Sequence, residues 1–175
     1  EDEAEVLAAY CEETYARAAG IADSVEKVDL LYITGPDGQN VIAELYHSEI
    51  IDLLSNNLAV VESPSSRGTG NEVGMEQILL WDPDYIIFPD SVYDSVAGDP
   101  TWEQLTAISS GNYYETPMGP YNWMGFPPSV QRTWADVDAE LLYPDAAEYD
   151  LYEEVAKYYD LFYLQLTQEQ YDALV

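Results

Sequence analysis

The chain has 175 residues, about half of them apolar, which suits one α/β domain with a real core and excludes a disordered segment. Thirty-four acidic residues face five basic ones (Arg17, Lys27, Arg67, Arg132 and Lys157), for a formal net charge of −29. Such a charge repels phosphate backbones and anionic lipid, so nucleic-acid and direct membrane binding are set aside, and it suits a salty medium or a cell exterior.

In chain order, residues 4–20 place Val6, Leu7, Tyr10, Tyr15 and Ala18 near helical spacing and stop at Gly20, a natural helix end. Val28 to Thr34 is a compact apolar run closed by Gly35-Pro36-Asp37-Gly38, which predicts a buried strand and a turn. Val41 to Leu54 reads as a helix, and Leu58 to Val61 as a second strand. Ser63 to Gly74 is loop-like. Met75 to Trp81 is a short helix, and Asp82-Pro83-Asp84 leads into a third strand, Tyr85 to Phe88. Helical turns follow over Ser91 to Ala97 and Trp102 to Ser109, then a fourth strand, Asn112 to Thr116. Met118 to Pro128 is a Gly/Pro/aromatic loop. Helices are expected over Ser129 to Leu142, Leu151 to Tyr163 and Gln168 to Leu174, the last behind Thr167.

Strands alternating with helices predict an α/β fold: a three-layer lobe with a mainly parallel sheet of four or five strands and helices on both faces. Ligands of such sheets gather beyond the carboxyl ends of the strands. Those loops are Gly35 to Asn40, Ser63 to Gly74, Pro89-Asp90 and Met118 to Pro128.

Little in the chain points to catalysis. The sequence contains no GxSxG, HExxH, Walker A or GxGxxG pattern. His47 is the single histidine, which rules out a His-rich metal site, and Cys11 is the single cysteine, which rules out an internal disulfide or a cysteine cluster. Cys11 falls in a helical pattern and reads as a small buried apolar group. No cofactor and no metal site are expected. No run of 18 apolar residues spans a bilayer, and Glu1-Asp2-Glu3 is not a signal peptide. A processed or partial chain is expected.

The loop Met118 to Pro128 sets large side chains among prolines and glycines, which suits a concave site for a flat or bulky ligand. Arg132 follows and presents a cation near it.

Several blocks carry a family resemblance. Glu72-Val-Gly-Met-Glu-Gln-Ile-Leu-Leu-Trp-Asp-Pro-Asp-Tyr-Ile-Ile87 resembles the "E-x-L-x-x-x-x-P-D-hydrophobic" stretch of the solute-binding proteins for iron complexes, siderophores and vitamin B12. The likeness continues through Asp99 to Trp102, Gly111 to Tyr114, Asn122-Trp123, Pro127 to Ser129, Leu142 to Pro144 and Leu166-Thr167. Two stretches depart from it: Ser55-Asn56-Asn57 stands where the family has Gly-Gly, and Arg132 to Ala139 is more polar than the family's helix.

The resemblance implies two lobes joined by one long helix, with the ligand clamped between them. Residues 1–22 then correspond to the end of the linking helix and 23–175 to the C-terminal lobe, with the N-terminal lobe missing. The implied function is extracytoplasmic capture of an iron chelate, haem, cobalamin or oxyanion, periplasmic or anchored at the cell surface, and delivery to ABC permease subunits; no enzyme activity is implied. The expected ligand residues are Tyr121, Asn122, Trp123, Met124 and Arg132, with Tyr46 and His47 opposite them. Glu76, or Glu72 if the register slips, is the expected permease-docking residue. The alternative is a stand-alone receiver-like or flavodoxin-like signalling domain. Against it, a phosphate-accepting receiver wants clustered Asp after the first strand, where Thr34 and Gly35 stand.

Overall fold

A computed structural model describes residues 3–43, 48–63, 70–89, 91–116, 135–163 and 165–174. The chain opens with helix α1 (Glu3–Ala22). Its buried residues Tyr10, Cys11, Thr14, Ala18, Ile21 and Ala22 recur at helical spacing and form one stripe. The expected stop at Gly20 is overrun because Ile21 and Ala22 both enter the core. Cys11 is buried, as read from its place in the stripe.

Strand β1 (Asp29–Thr34) is the hub of the sheet. It pairs in parallel with β5 (Tyr85–Pro89) on one side, and β5 pairs in parallel with β6 (Tyr113–Thr116). Its other side is shared: β3 (Asn56–Asn57) lies parallel to its start, and β2 (Asn40–Val41) lies antiparallel to its end. β4 (Asn71–Glu72) extends β2, again antiparallel. The expected mainly parallel sheet is thus present as four parallel strands, and two short antiparallel strands bring it to six.

Both short strands correct the sequence reading. Val41 does not start a helix, because it pairs with Ile33 and is fully buried in the sheet. The helix of that region is α2 (Glu49–Leu54). Likewise the stretch expected to be loop from Ser63 to Gly74 contains β4. The second parallel strand pairs through Asn56 and Asn57 rather than through Leu58 to Val61, and Val60 is 74% exposed.

Side chains of β1 alternate between the two faces, as strand geometry dictates. Leu30 and Tyr32 join Ile87 in a layer with α1, α2 and α6 (Ala135–Leu142). Leu31 and Ile33 join Ile86 and Phe88 in the opposite layer. That layer is covered by α3 (Met75–Trp81), α4 (Val92–Val96), a 3-10 turn (Trp102–Gln104) and α5 (Thr106–Ser110). Outside α1 and α6, Tyr10, Val137, Val155, Tyr158 and Tyr159 form a third cluster with α7 (Leu151–Phe162), and α8 (Gln168–Asp172) closes it behind a Thr167 capping box.

The Asp82-Pro83-Asp84 link has a clear local role. Asp82 ends α3 in the left-handed region at φ 42°, and its carboxylate accepts from Thr106 N at 2.7 Å and Thr106 Oγ1 at 2.9 Å. It thereby caps α5, whose first N–H groups otherwise have no helical partner. Asp84 Oδ2 accepts from Asp29 N at 3.2 Å while its own N–H donates to Asp29 O, which fixes β5 beside β1.

Candidate functional site

The parallel strands β1, β5 and β6 end at Thr34, Pro89 and Thr116, so their carboxyl ends share one edge of the sheet. After Thr34 the chain turns sharply, with Gly38 N donating to Gly35 O at 3.2 Å and Gln39 N to Asp37 Oδ1 at 3.3 Å. Gly38 has φ +67°, and a Cβ there would lie 2.8 Å from the Trp102 ring and 2.9 Å from Val96, so only glycine fits. At the other end of the edge, Thr116 Oγ1 donates to Phe88 O at 3.1 Å and holds β6 against β5 where both leave the sheet.

A second set of hydrogen bonds fixes the chain on either side of residues 44–47. Asp52 in α2 accepts from Ser48 Oγ at 2.7 Å and from Asn57 Nδ2 at 2.9 Å. Asn57 Nδ2 also donates to Ile42 O at 3.3 Å. Ile42 and Ser48 are therefore pinned to one hub, Asn57 and Asp52. The Asn56-Asn57 pair supplies both the ladder to β1 and this clamp.

The expected ligand residues Tyr46, His47, Tyr121, Asn122, Trp123, Met124 and Arg132 lie outside the described residues. Both expected docking residues are described and exposed: Glu72 in β4, where it pairs with Asn40, and Glu76 in the first turn of α3. Gly74 precedes that helix, and its carbonyl accepts from Gln77 N and Ile78 N. Glu76 stands where the helix's unpaired N–H groups favour a carboxylate.

Two buried acids escaped the sequence reading, and both are in α6. Asp136 faces α1 and α7. Its Oδ2 lies 3.2 Å from Arg17, whose guanidinium also reaches Glu154 at 3.1 Å and Glu13 at 3.2 Å. Burial pushes the Asp136 carboxyl up to about 7, although Arg17 pulls it down. Asp138 faces the sheet, and burial pushes it to about 8. The available signal was helical spacing: Ala135, Asp138, Ala139 and Leu142 share one stripe, so an acid occupies a core position. In so acidic a chain that single residue did not stand out. Among the described residues, no group of three or more His, Cys, Asp or Glu side chains is placed to hold a metal ion. No described helix is long and apolar enough to cross a membrane.

The sequence profile of the family described as "Periplasmic binding protein" matches residues 1–119. The chain belongs to the periplasmic binding protein family. An ABC transporter solute-binding protein from Sulfurospirillum deleyianum superposes with a TM-score of 0.88 at 28% identity, over 99% of this chain and 56% of that one. Two further structures share the fold. A periplasmic solute-binding protein from Veillonella parvula has a TM-score of 0.80 at 24% identity, over 98% of this chain and 54% of that one. The molybdate-bound MolA of Haemophilus influenzae has a TM-score of 0.76 at 20% identity, over 93% of this chain and 51% of that one. This binding-protein chain therefore spans about half the length of the structures it matches, and its three-layer architecture is that of a single lobe. No curated protein sequence matches it. The family membership replaces the receiver-like or flavodoxin-like alternative.

Proposed function

We propose that the chain is the C-terminal, permease-docking lobe of the solute-binding component of an ABC importer, acting outside the cytoplasm and without chemistry on its ligand. The likeness to the S. deleyianum solute-binding protein across nearly the whole chain carries this reading. A ligand held between two lobes stabilises the closed form through contacts to both, and one lobe offers half of those contacts. The ligand classes are an iron chelate, haem, cobalamin or an oxyanion. Tyr121, Trp123 and Met124 would give stacking area, with Asn122 beside them and Tyr46 and His47 across the site. Arg132 would offset the repulsion between an anionic ligand and so acidic a lobe. In this reading residues 1–22 end the helix between lobes.

Glu76 is assigned to docking: it is exposed in the first turn of α3, and it offers two oxygens to a guanidinium fork on a permease subunit. Thermal-shift screening of the two-lobed protein with ferric chelates, haem, cobalamin and molybdate identifies the ligand, since a bound ligand raises Tm by mass action. With that ligand, Glu76→Gln is expected to leave affinity unchanged and to lower ATPase stimulation at least tenfold. Equal stimulation by variant and wild type would remove Glu76 from docking, and a parallel loss of ligand affinity would place it in the pocket.

A further inference from the structure

The helix layer that holds α4 and α5 is open at one place. Between α4, the 3-10 turn, α5 and the start of β6 lies a recess of about 410 Å³, a size typical of small-molecule sites. Its walls are Tyr93 and Val96 of α4, Trp102 and Glu103 of the turn, Ile108 of α5 and Tyr113 of β6. Gly98 and Gly111 also border it, and a Cβ at either would meet nothing within 4 Å, so packing does not crowd the mouth there.

Strand alternation explains the aromatic wall. Tyr113 is in register with Ile86, so its ring falls on the same face of the sheet as Phe88. β6 ends the order of the described strands, and the Tyr113 ring stacks on Tyr93 with centroids 4.1 Å apart. Phe88 lies 5.7 Å from the Tyr93 ring and 6.1 Å from the Trp102 ring. Phe88 and Trp102 are buried in the core, whereas Tyr93 and Tyr113 are only partly buried. The two tyrosines therefore finish the core and keep ring surface toward the recess.

The charges at the recess are of one sign. Glu103 lines it, and Glu115 stands two residues on from Tyr113, on the same face of β6; both are exposed. Their field reaches the Tyr93 hydroxyl, whose pKa is raised first by its hydrogen bond with Tyr113, then by burial, and further by Tyr113, Glu115 and Glu103. A field that opposes a phenolate favours a cation. The described basic side chains are engaged elsewhere, Arg17 and Lys157 with Glu13 and Glu154, and Lys27 with Asp52 O. Among the described residues, neither Glu103 nor Glu115 has a cationic partner. At 0.15 M salt the screening length is about 8 Å, so these two nearby acids outweigh the distant charge of the chain.

Ring faces attract a positive charge, and alkyl groups on nitrogen gain from contact with Val96 and Ile108. A hydrated metal ion uses none of that apolar wall, and an anion is repelled by both acids. We propose that this recess binds a small alkylammonium cation. It is built from residues other than those given ligand or docking roles above, so the proposal does not rest on them.

Choline and its uncharged isostere 3,3-dimethyl-1-butanol test it by NMR titration of the full chain in about 0.15 M NaCl. Choline is expected to give saturable shifts of the Tyr93, Tyr113 and Trp102 ring protons, with the alcohol bound about fivefold more weakly or worse. Changing both acids, Glu103→Gln with Glu115→Gln, should weaken choline about fivefold, and Tyr93→Leu about tenfold. Glu169→Gln, a like charge loss on α8, should change its affinity less than about twofold. The glutamate variants alter exposed side chains, so they decide even if Tyr93→Leu does not fold. Absent or unsaturable shifts, shifts centred elsewhere, equal affinity for choline and the alcohol, or an equal loss in Glu169→Gln overturns the proposal. The outcome of the ligand screen on the two-lobed protein leaves all of these readings unchanged.

Discussion

Asp82 shows how one residue joins two elements. It closes α3 at φ 42°, a backbone region that Asp and Asn tolerate better than other residues with side chains, and it caps α5 through Thr106. Asp82→Ala removes both acceptors and places an alanine in a strained conformation. The expected loss is about 1–2 kcal/mol, read by urea denaturation. Asp82→Asn keeps the backbone preference and one acceptor oxygen and should lose less than half of that. Equal losses for the two variants would show that the cap contributes little.

At the scale of elements, α1 is fastened to α6 and α7 by polar contacts as well as packing. Arg17 reaches Asp136 and Glu154, its guanidinium lies 5.0 Å from the Tyr149 ring, and Lys157 of α7 reaches Glu13 at 3.3 Å. The Tyr10 hydroxyl donates to Glu154 O at 3.3 Å. The pH dependence has a definite sign. Because the folded value of Asp136 lies above its ordinary one, the folded state keeps a proton that the unfolded chain has released, and stability falls as pH rises from about 4 to about 7. Arg17→Met removes the cation and leaves the acids facing one another. Since Arg17 is 25% exposed, the expected loss is about 2–3 kcal/mol at pH 8, below the range for a fully buried pair, and clearly smaller at pH 5, where Asp136 is protonated. Thermal melts at the two pH values check this; an equal loss at both would mean that Asp136 does not titrate in this range.

The elements that were legible in the sequence are those with strong local patterns. The apolar run of β1, the short α3 and the capped α7 and α8 sit where periodicity and caps place them. Val41 was misread because its neighbours continue a helical spacing, while its partner Ile33 is eight residues back across a turn. The two-residue β4 carries no apolar alternation at all, and only pairing with β2 defines it. In the candidate site, Glu76 falls on the helix that the sequence predicts, whereas Glu72 falls on β4, where a loop was expected. The Asn57–Asp52 clamp and the buried Asp138 depend on which elements come together, and no local pattern encodes that.

For the molecule as a whole, a formal net charge of −29 against five basic side chains sets a self-repulsion that salt relieves. Raising NaCl from 20 mM to 0.5 M shortens the screening length from about 20 Å to about 4 Å, and Tm followed by circular dichroism is expected to climb by several degrees. A flat or falling Tm would show that the charges are too widely spaced to matter. The fastening of α1 has a mechanical side as well. Its 20 residues make a rod of about 30 Å, and the contacts from Tyr10 to Ile21 grip more than half of that length. A rod held over so long a span works as a lever arm and not as a hinge: a tilt of about 10° at Tyr10 carries Glu3, about 10 Å further along the axis, by about 2 Å. Torque applied to α1 therefore passes into α6, the helix that carries both buried acids.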